Sequence, residues 1–132
     1  MKATMTAINP PHTTNIFNVK KTIEWRTFPM PIGLHLVYET KACFGQGKVI
    51  GTFEITRNYK FNSIDEIPDY LIEAGCVPRD FLEAYAAGRK IYANIIIEAK
   101  RFKHTKKISE FRNYTTKKFI LRPPQSYVYV EV

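Results

Sequence analysis

This chain of 132 residues has few cysteines, few histidines and no long apolar run. Its two cysteines, Cys43 and Cys76, stand far apart and outside any C-x-x-C pattern. That excludes a disulfide framework and a cysteine zinc site. The simplest expectation is a pair of buried, reduced thiols in a cytoplasmic protein. His12, His35 and His104 show no metal-ligand spacing, so no metal is expected, and nothing calls for a cofactor. No stretch approaches the length of a membrane span. The start "MKATMTAINPP" has no long apolar run before Pro10 and does not read as a signal peptide. Neither an internal repeat nor a linker divides the chain, so one domain, 1–132, is expected. Glycine is also scarce. Gly45-Gln46-Gly47-Lys48 invites comparison with a phosphate loop, but Ala42 stands where Walker A needs its first glycine and Val49 replaces the Ser/Thr after the lysine.

What is present is apolar, aromatic and basic. Hydrophobic residues make up 45% of the chain, with nine Phe and eight Tyr, enough for a real core. Lys and Arg number 20 against 12 acids, a net charge of +8. Such a balance favours a polyanion partner, whether RNA, DNA or an anionic surface, over solubility charge alone, because the charge is uneven. Lys100, Arg101, Lys103, Lys106, Lys107, Arg112, Lys117 and Lys118 crowd one segment with Glu110 as its sole acid. Phe102, Phe111, Tyr114 and Phe119 are interleaved there. The cations suit phosphates and the aromatics suit base stacking, although each aromatic taken singly fits inward packing better.

Strand patterning appears at residues 2–8, in "TIEWRT", in "LHLVYET", from Lys48 to Arg57, from residue 90 to 99 or beyond, and in "SYVYVEV". "PPHTTNIFNV" suits a short helix with Asn9 as its cap. Ser63-Ile64-Asp65-Glu66 has capping-box form, and Pro78 opens a second helix that Gly88 stops. Gly51 marks a bulge or a close approach within its strand. The basic segment reads as a loop with a turn of helix at "KKISEF". Few long helices argue against a doubly wound sheet, so the expected fold is α+β, a small and mostly antiparallel β-barrel with short flanking helices.

The stretch with the most chemistry is "VKKTIEWR", residues 19–26. Ile23 and Trp25 fall on one strand face; Thr22, Glu24 and Arg26 fall on the other. Glu24 could accept hydrogen bonds from a base edge, while Lys21 and Arg26 could neutralise phosphate or polarise a carbonyl. The plain alternative is a surface Glu–Arg pair worth under about 1 kcal/mol.

"VKKTIEWR" resembles the signature of ASCH domains, a branch of the PUA-like barrels, written G-x-K-x-x-E-x-R. Lys21, Glu24 and Arg26 match its charged positions. Val19 stands where the motif has glycine, so the turn into the strand is expected to differ. "GKVIGTFEI", "FLEAYAAGRKIYANIII" and "LRPPQSYVYVEV" resemble further family segments in the family's order. The last is similar to a "PPQSW-x-YV" ending found in phage and low-GC Gram-positive members, with Tyr127 in place of tryptophan.

The resemblance implies a PUA-like barrel with a polar cleft beside the motif strand and an RNA or nucleotide-like ligand. Lys21, Glu24 and Arg26 would face the cleft, with Gln125 and Ser126 approaching from the last strand. Tyr38 or Tyr127 could stack on a base, although the barrel core is the plainer place for each. Lys100, Arg101, Lys103, Lys106 and Lys107 would hold an RNA backbone. The alternative is a small hydrolase. One group of relatives hydrolyses the acetyl amide of N4-acetylcytidine using a Lys, a Thr nucleophile and a Glu; other members act on single-stranded RNA. Lys21 matches that Lys, but Glu24 occupies the Thr position. In an enzyme Glu24 would activate water and Lys21 or Arg26 would stabilise the oxyanion. A third reading sets the basic face against an acidic protein, on charge balance alone.

Overall fold

The computed structural model describes residues 1–132. Seven strands form one mixed sheet in the order β2-β5-β4-β3-β1-β7-β6. They are β1 Lys2–Ile8, β2 Ile23–Arg26, β3 Gly33–Glu39, β4 Lys48–Phe61, β5 Ile91–Lys106, β6 Arg112–Asn113 and β7 Tyr127–Glu131. Only β1 and β3 pair in parallel; every other ladder is antiparallel. Three short helices, α1 His12–Phe17, α2 Asp69–Ala74 and α3 Arg79–Ala86, flank the sheet.

The α+β class and the antiparallel bias match the sequence expectation, but the sheet does not close into a barrel. The ladder ends at β2 on one side and β6 on the other. With four residues, β2 forms backbone pairs to β5 alone. What spans the gap from β2 is a side chain: Arg26 Nη2 donates to the Ala7 carbonyl of β1 at 3.1 Å.

Alternation sorts the core. On β3, Leu36 and Tyr38 join Met5, Val49 and Val130, while Val37 joins Ile16, Ile50 and Phe53 on the other face. A separate cluster unites Ile23 and Trp25 of β2 with Leu82 and Ala86 of α3 and Ile91 and Ala93 of β5. Gly51 shows both expected features, a register shift and a close approach. A Cβ there would lie 2.4 Å from the Lys100 carbonyl oxygen and 2.8 Å from the Phe17 ring.

Several expectations give way to local physics. The first part of the segment read as a basic loop, to Lys106, is the second half of β5, because β4 supplies a ladder as far as the Val49–Lys106 pair; the expected helical turn follows as a 3-10 turn at Ile108–Glu110. Asn9 does not cap α1; its Oδ1 accepts from Thr40 Oγ1 at 2.6 Å. Ser63 makes no cap bond, and its segment forms only a 3-10 turn, since Pro68 starts α2 afresh. Cys43 and Cys76 are exposed, because both lie in turns. Val19 adopts φ 60°, the left-handed conformation that suits glycine, so the valine bears the strain.

Candidate functional site

The segment after Val19 is docked against the end of α2. Thr22 N donates to the Ala74 carbonyl at 3.0 Å. Lys21 precedes β2, so strand alternation does not fix its direction. Its Nζ donates to the Gly75 carbonyl and lies 3.4 Å from Glu24 Oε1. Gly75 has no substitute here, because a Cβ would lie 2.0 Å from Trp25 Nε1. From β2 itself, Arg26 Nη2 and Nε reach Glu24 Oε2 at 2.9 and 3.3 Å. Lys21 and Glu24 are buried, at 1% and 5% exposure. A third residue holds the β2 backbone in place: Asn94 Nδ2 donates to the Glu24 carbonyl at 3.0 Å, while its Oδ1 accepts from Met30 N and Asn58 Nδ2.

The trio lies in the wall of a cleft of about 360 Å³. His12 of α1, Trp25, Phe81 and Tyr85 of α3, and Gln125 are among the other lining residues. The size falls within the range of about 300–1,000 Å³ usual for small-ligand sites. α1 is tethered at the cleft by its Thr13 hydroxyl, which donates to the buried Glu39 carboxylate at 2.8 Å; Gln46 N donates to the other oxygen. Two nitrogens on lining residues, His12 Nδ1 and Trp25 Nε1, are buried with no hydrogen-bond partner.

Electrostatics separates the roles. Burial alone would raise the Glu24 carboxyl, but the nearby charges of Arg26 and Lys21 and the Arg26 hydrogen bond outweigh it and hold the pKa below the usual value. Glu24 is therefore a carboxylate at neutral pH, clamped by two cations. Burial lowers the His12 pKa; Glu24 opposes that, and Lys21 and Arg26 add to it, so the ring is neutral near pH 7.

The expected site residues divide into three groups. Lys21, Glu24, Arg26 and Gln125 all line the cleft. Tyr38 does not; it is buried in the core with Leu36 and Val49. Ser126 is also outside the lining, and its carbonyl accepts from Ala7 N at 3.1 Å. Tyr127 stands against Phe28 and Tyr129 instead, and burial beside Tyr129 raises its pKa. Lys100, Arg101, Lys103 and Lys106 sit on distal β5 with Lys107 just beyond, all exposed and none in the cleft. Arg101 lies 4.9 Å over the Phe17 ring at the end of α1. His12 begins the same helix, which is about 9 Å long, so the basic arm starts close to the cleft.

Sequence patterning missed His12, Asn94, Phe81 and Tyr85. The available signals were an asparagine inside the apolar run "IYANIII" and two aromatics that leave the helical stripe exposed. His35, by contrast, is structural. Its Nε2 donates to the Pro31 carbonyl and its Nδ1 accepts from Thr6, each at 2.6 Å. The three histidines do not converge, and no three His, Cys, Asp or Glu side chains form a metal-binding group.

No protein-family model and no curated protein matches this sequence. Solved structures do. The ASCH protein of Zymomonas mobilis superposes with a TM-score of 0.76 at 17% identity, covering 97% of this chain and 87% of that one. Its tyrosine-to-phenylalanine variant gives 0.77 at 16% identity, with 97% and 89% covered. Its serine-to-alanine variant gives 0.76 at 16%, with 97% and 87% covered. At this identity the likeness speaks for the fold, and the chain has the fold of the ASCH proteins.

Proposed function

We propose that this protein binds RNA, taking one nucleotide into the cleft and holding the neighbouring backbone on the basic arm. The observation that carries this reading is the buried Lys21–Glu24–Arg26 trio set in the wall of a nucleotide-sized cleft. A structural ion pair gains little from lying beside open space. Here the trio keeps unused capacity. Arg26 spends Nε and Nη2 within the protein, which leaves Nη1 for a ligand. Glu24 Oε1 has only the 3.4 Å contact with Lys21, so it can accept from a base N–H. Trp25, Phe81 and Tyr85 supply apolar and aromatic wall, and distal β5 supplies the charge.

The test is single-stranded RNA binding by fluorescence anisotropy across a salt series. Affinity should fall with rising salt, with a log–log slope of about −0.7 for each phosphate contact. Arg26→Lys, with folding checked by circular dichroism, should weaken binding roughly tenfold by losing the Nη1 donor and the two-nitrogen hold on Glu24 that orients it. Affinity indifferent to both salt and Arg26→Lys would sink the proposal.

One observation supports a hydrolytic second reading, with His12 rather than Glu24 as its base. A carboxylate clamped by two cations is a weak base, whereas His12 lines the cleft and its ring is neutral at pH 7. His12 would take a proton from water attacking an amide carbonyl, with Arg26 beside the developing oxyanion. Incubation with N4-acetylcytidine, followed by chromatography, should then release cytidine and acetate, and His12→Ala should abolish the release. No release by the unsubstituted protein removes this reading.

A further inference from the structure

We propose that a second hollow, beside β6 and β7, takes the nucleotide adjacent to the one in the cleft, so that single-stranded RNA crosses the protein over Pro124. The proposal rests on the RNA-binding reading above and extends it to a second position. The hollow has a volume of about 370 Å³, close to that of the cleft, and Pro124 lines both. Pro124 is therefore the shared wall between two nucleotide-sized spaces.

The chemistry of the second space is one-sided. Asn113, Lys118, Phe119, Leu121 and Arg122 line it, and no carboxylate does. Neighbouring Lys117 is taken up by Glu131 at 3.1 Å, whereas Lys118 and Arg122 make no ion pair. Phe119 is half-exposed, and the Arg112 guanidinium covers its ring at 4.5 Å. A base stacked on the open face would complete an Arg–Phe–base sandwich. The wall is also pre-organised. Asn113 Oδ1 accepts from Thr115 N and Thr116 N, Asn113 N donates to the Lys118 carbonyl, and Ile120 N donates to the Phe111 carbonyl. Ile120, 8% exposed, anchors the segment in the core. A fixed turn that holds out an aromatic and two unpaired cations costs little entropy on binding.

The experiment compares four ribonucleoside 5′-monophosphates with a mixed-sequence single-stranded RNA oligonucleotide by isothermal calorimetry and anisotropy. Phe119→Ala should weaken the oligonucleotide roughly tenfold and leave the mononucleotides unchanged. Lys118→Ala with Arg122→Ala should reduce the oligonucleotide salt slope by about 1.4. Both cations are exposed, so this variant stays folded and informative even if Phe119→Ala does not. Lys60→Ala with Lys90→Ala, at the far end of β4 and β5, is the control and should leave the slope near its original value. Unchanged oligonucleotide affinity and slope in the hollow variants, or an equal loss in the control, overturns the second position while the cleft reading stands. Absence of any RNA or nucleotide binding by the unsubstituted protein overturns both.

Discussion

The buried trio and the basic arm carry charge in opposite physical regimes. Lys21 and Glu24 are removed from water, Arg26 is mostly so, and the three satisfy one another within 3.4 Å. Lys100, Arg101, Lys103, Lys106 and Lys107 stand in solvent, and none of them makes an ion pair. Charge in the first setting is costly, geometrically fixed and weakly screened. Charge in the second is cheap, mobile and sensitive to salt. On the reading proposed above, the trio would recognise a ligand and the arm would attract one. The sequence motif and the basic run looked alike as clusters of cations, but only burial tells them apart.

The strongest way to break this comparison is to remove a charge from each side. Glu24→Gln leaves Lys21 and Arg26 buried without a counter-charge, and should cost about 3–5 kcal/mol of folding stability. Lys103→Ala, on an exposed strand position, should change stability by no more than about 0.5 kcal/mol. Urea unfolding of both variants measures the gap. Similar midpoints would show that the trio is solvated like the arm.

Acid tests the buried side separately. Burial lowers the His35 pKa from 6.5 to about 4; the Pro31 hydrogen bond opposes the shift and Arg26 adds to it. Between those values the unfolded chain binds a proton that the folded protein refuses. Stability is therefore complete above pH 6.5 and declines as pH falls toward 4, by ~3 kcal/mol over that window. Glu24, with its lowered pKa, adds a further loss as pH falls below its unfolded value of about 4.3 and through its folded one. Urea midpoints across pH 4 to 7 check the first step, to which His12 with its own lowered pKa also contributes, and His35→Gln should make it shallower. A slope unchanged in that variant would place the acid sensitivity elsewhere.

How far the sequence revealed this site follows from the range of each interaction. The alternation of Ile23 and Trp25 against Glu24 and Arg26 is local, and the first pair packs in the core as it implies, although Trp25 also reaches the cleft wall beside Glu24 and Arg26. Lys21 lies outside the strand, and its placement depends on the carbonyl of Gly75, which no periodicity encodes. The barrel failed as an expectation because closure is a property of strand pairing across the whole sheet. Tyr38 has the chemistry of a stacking residue, but its parity with Leu36 favours the core, and the core is where it lies. The charge of the basic segment suggests a loop, yet its first part, to Lys106, continues β5. Its ladder comes from β4, some fifty residues earlier in the chain. His12 was missed because a lone histidine after two prolines has no pattern; only the fold brings it beside Glu24.

The smallest expected effect sharpens the comparison from the trio's side, at the turn that delivers Lys21. Val19 holds φ 60° with its side chain 71% exposed, so it pays a left-handed conformational cost and buries little in return. For a residue with a Cβ that conformation costs roughly 1–2 kcal/mol, and branching at Cβ makes it worse. Glycine removes the clash but loses about 0.5–1 kcal/mol more backbone entropy on folding. The difference leaves Val19→Gly more stable by up to about 1 kcal/mol. Backbone bonds on either side hold the turn whichever residue occupies it: Val19 N to the Ile16 carbonyl, and Lys20 N and Lys21 N to the Asn15 carbonyl. The substitution should therefore raise the urea midpoint without altering RNA affinity or its salt slope. A lower midpoint would mean that the valine side chain contributes packing that its exposure does not reveal.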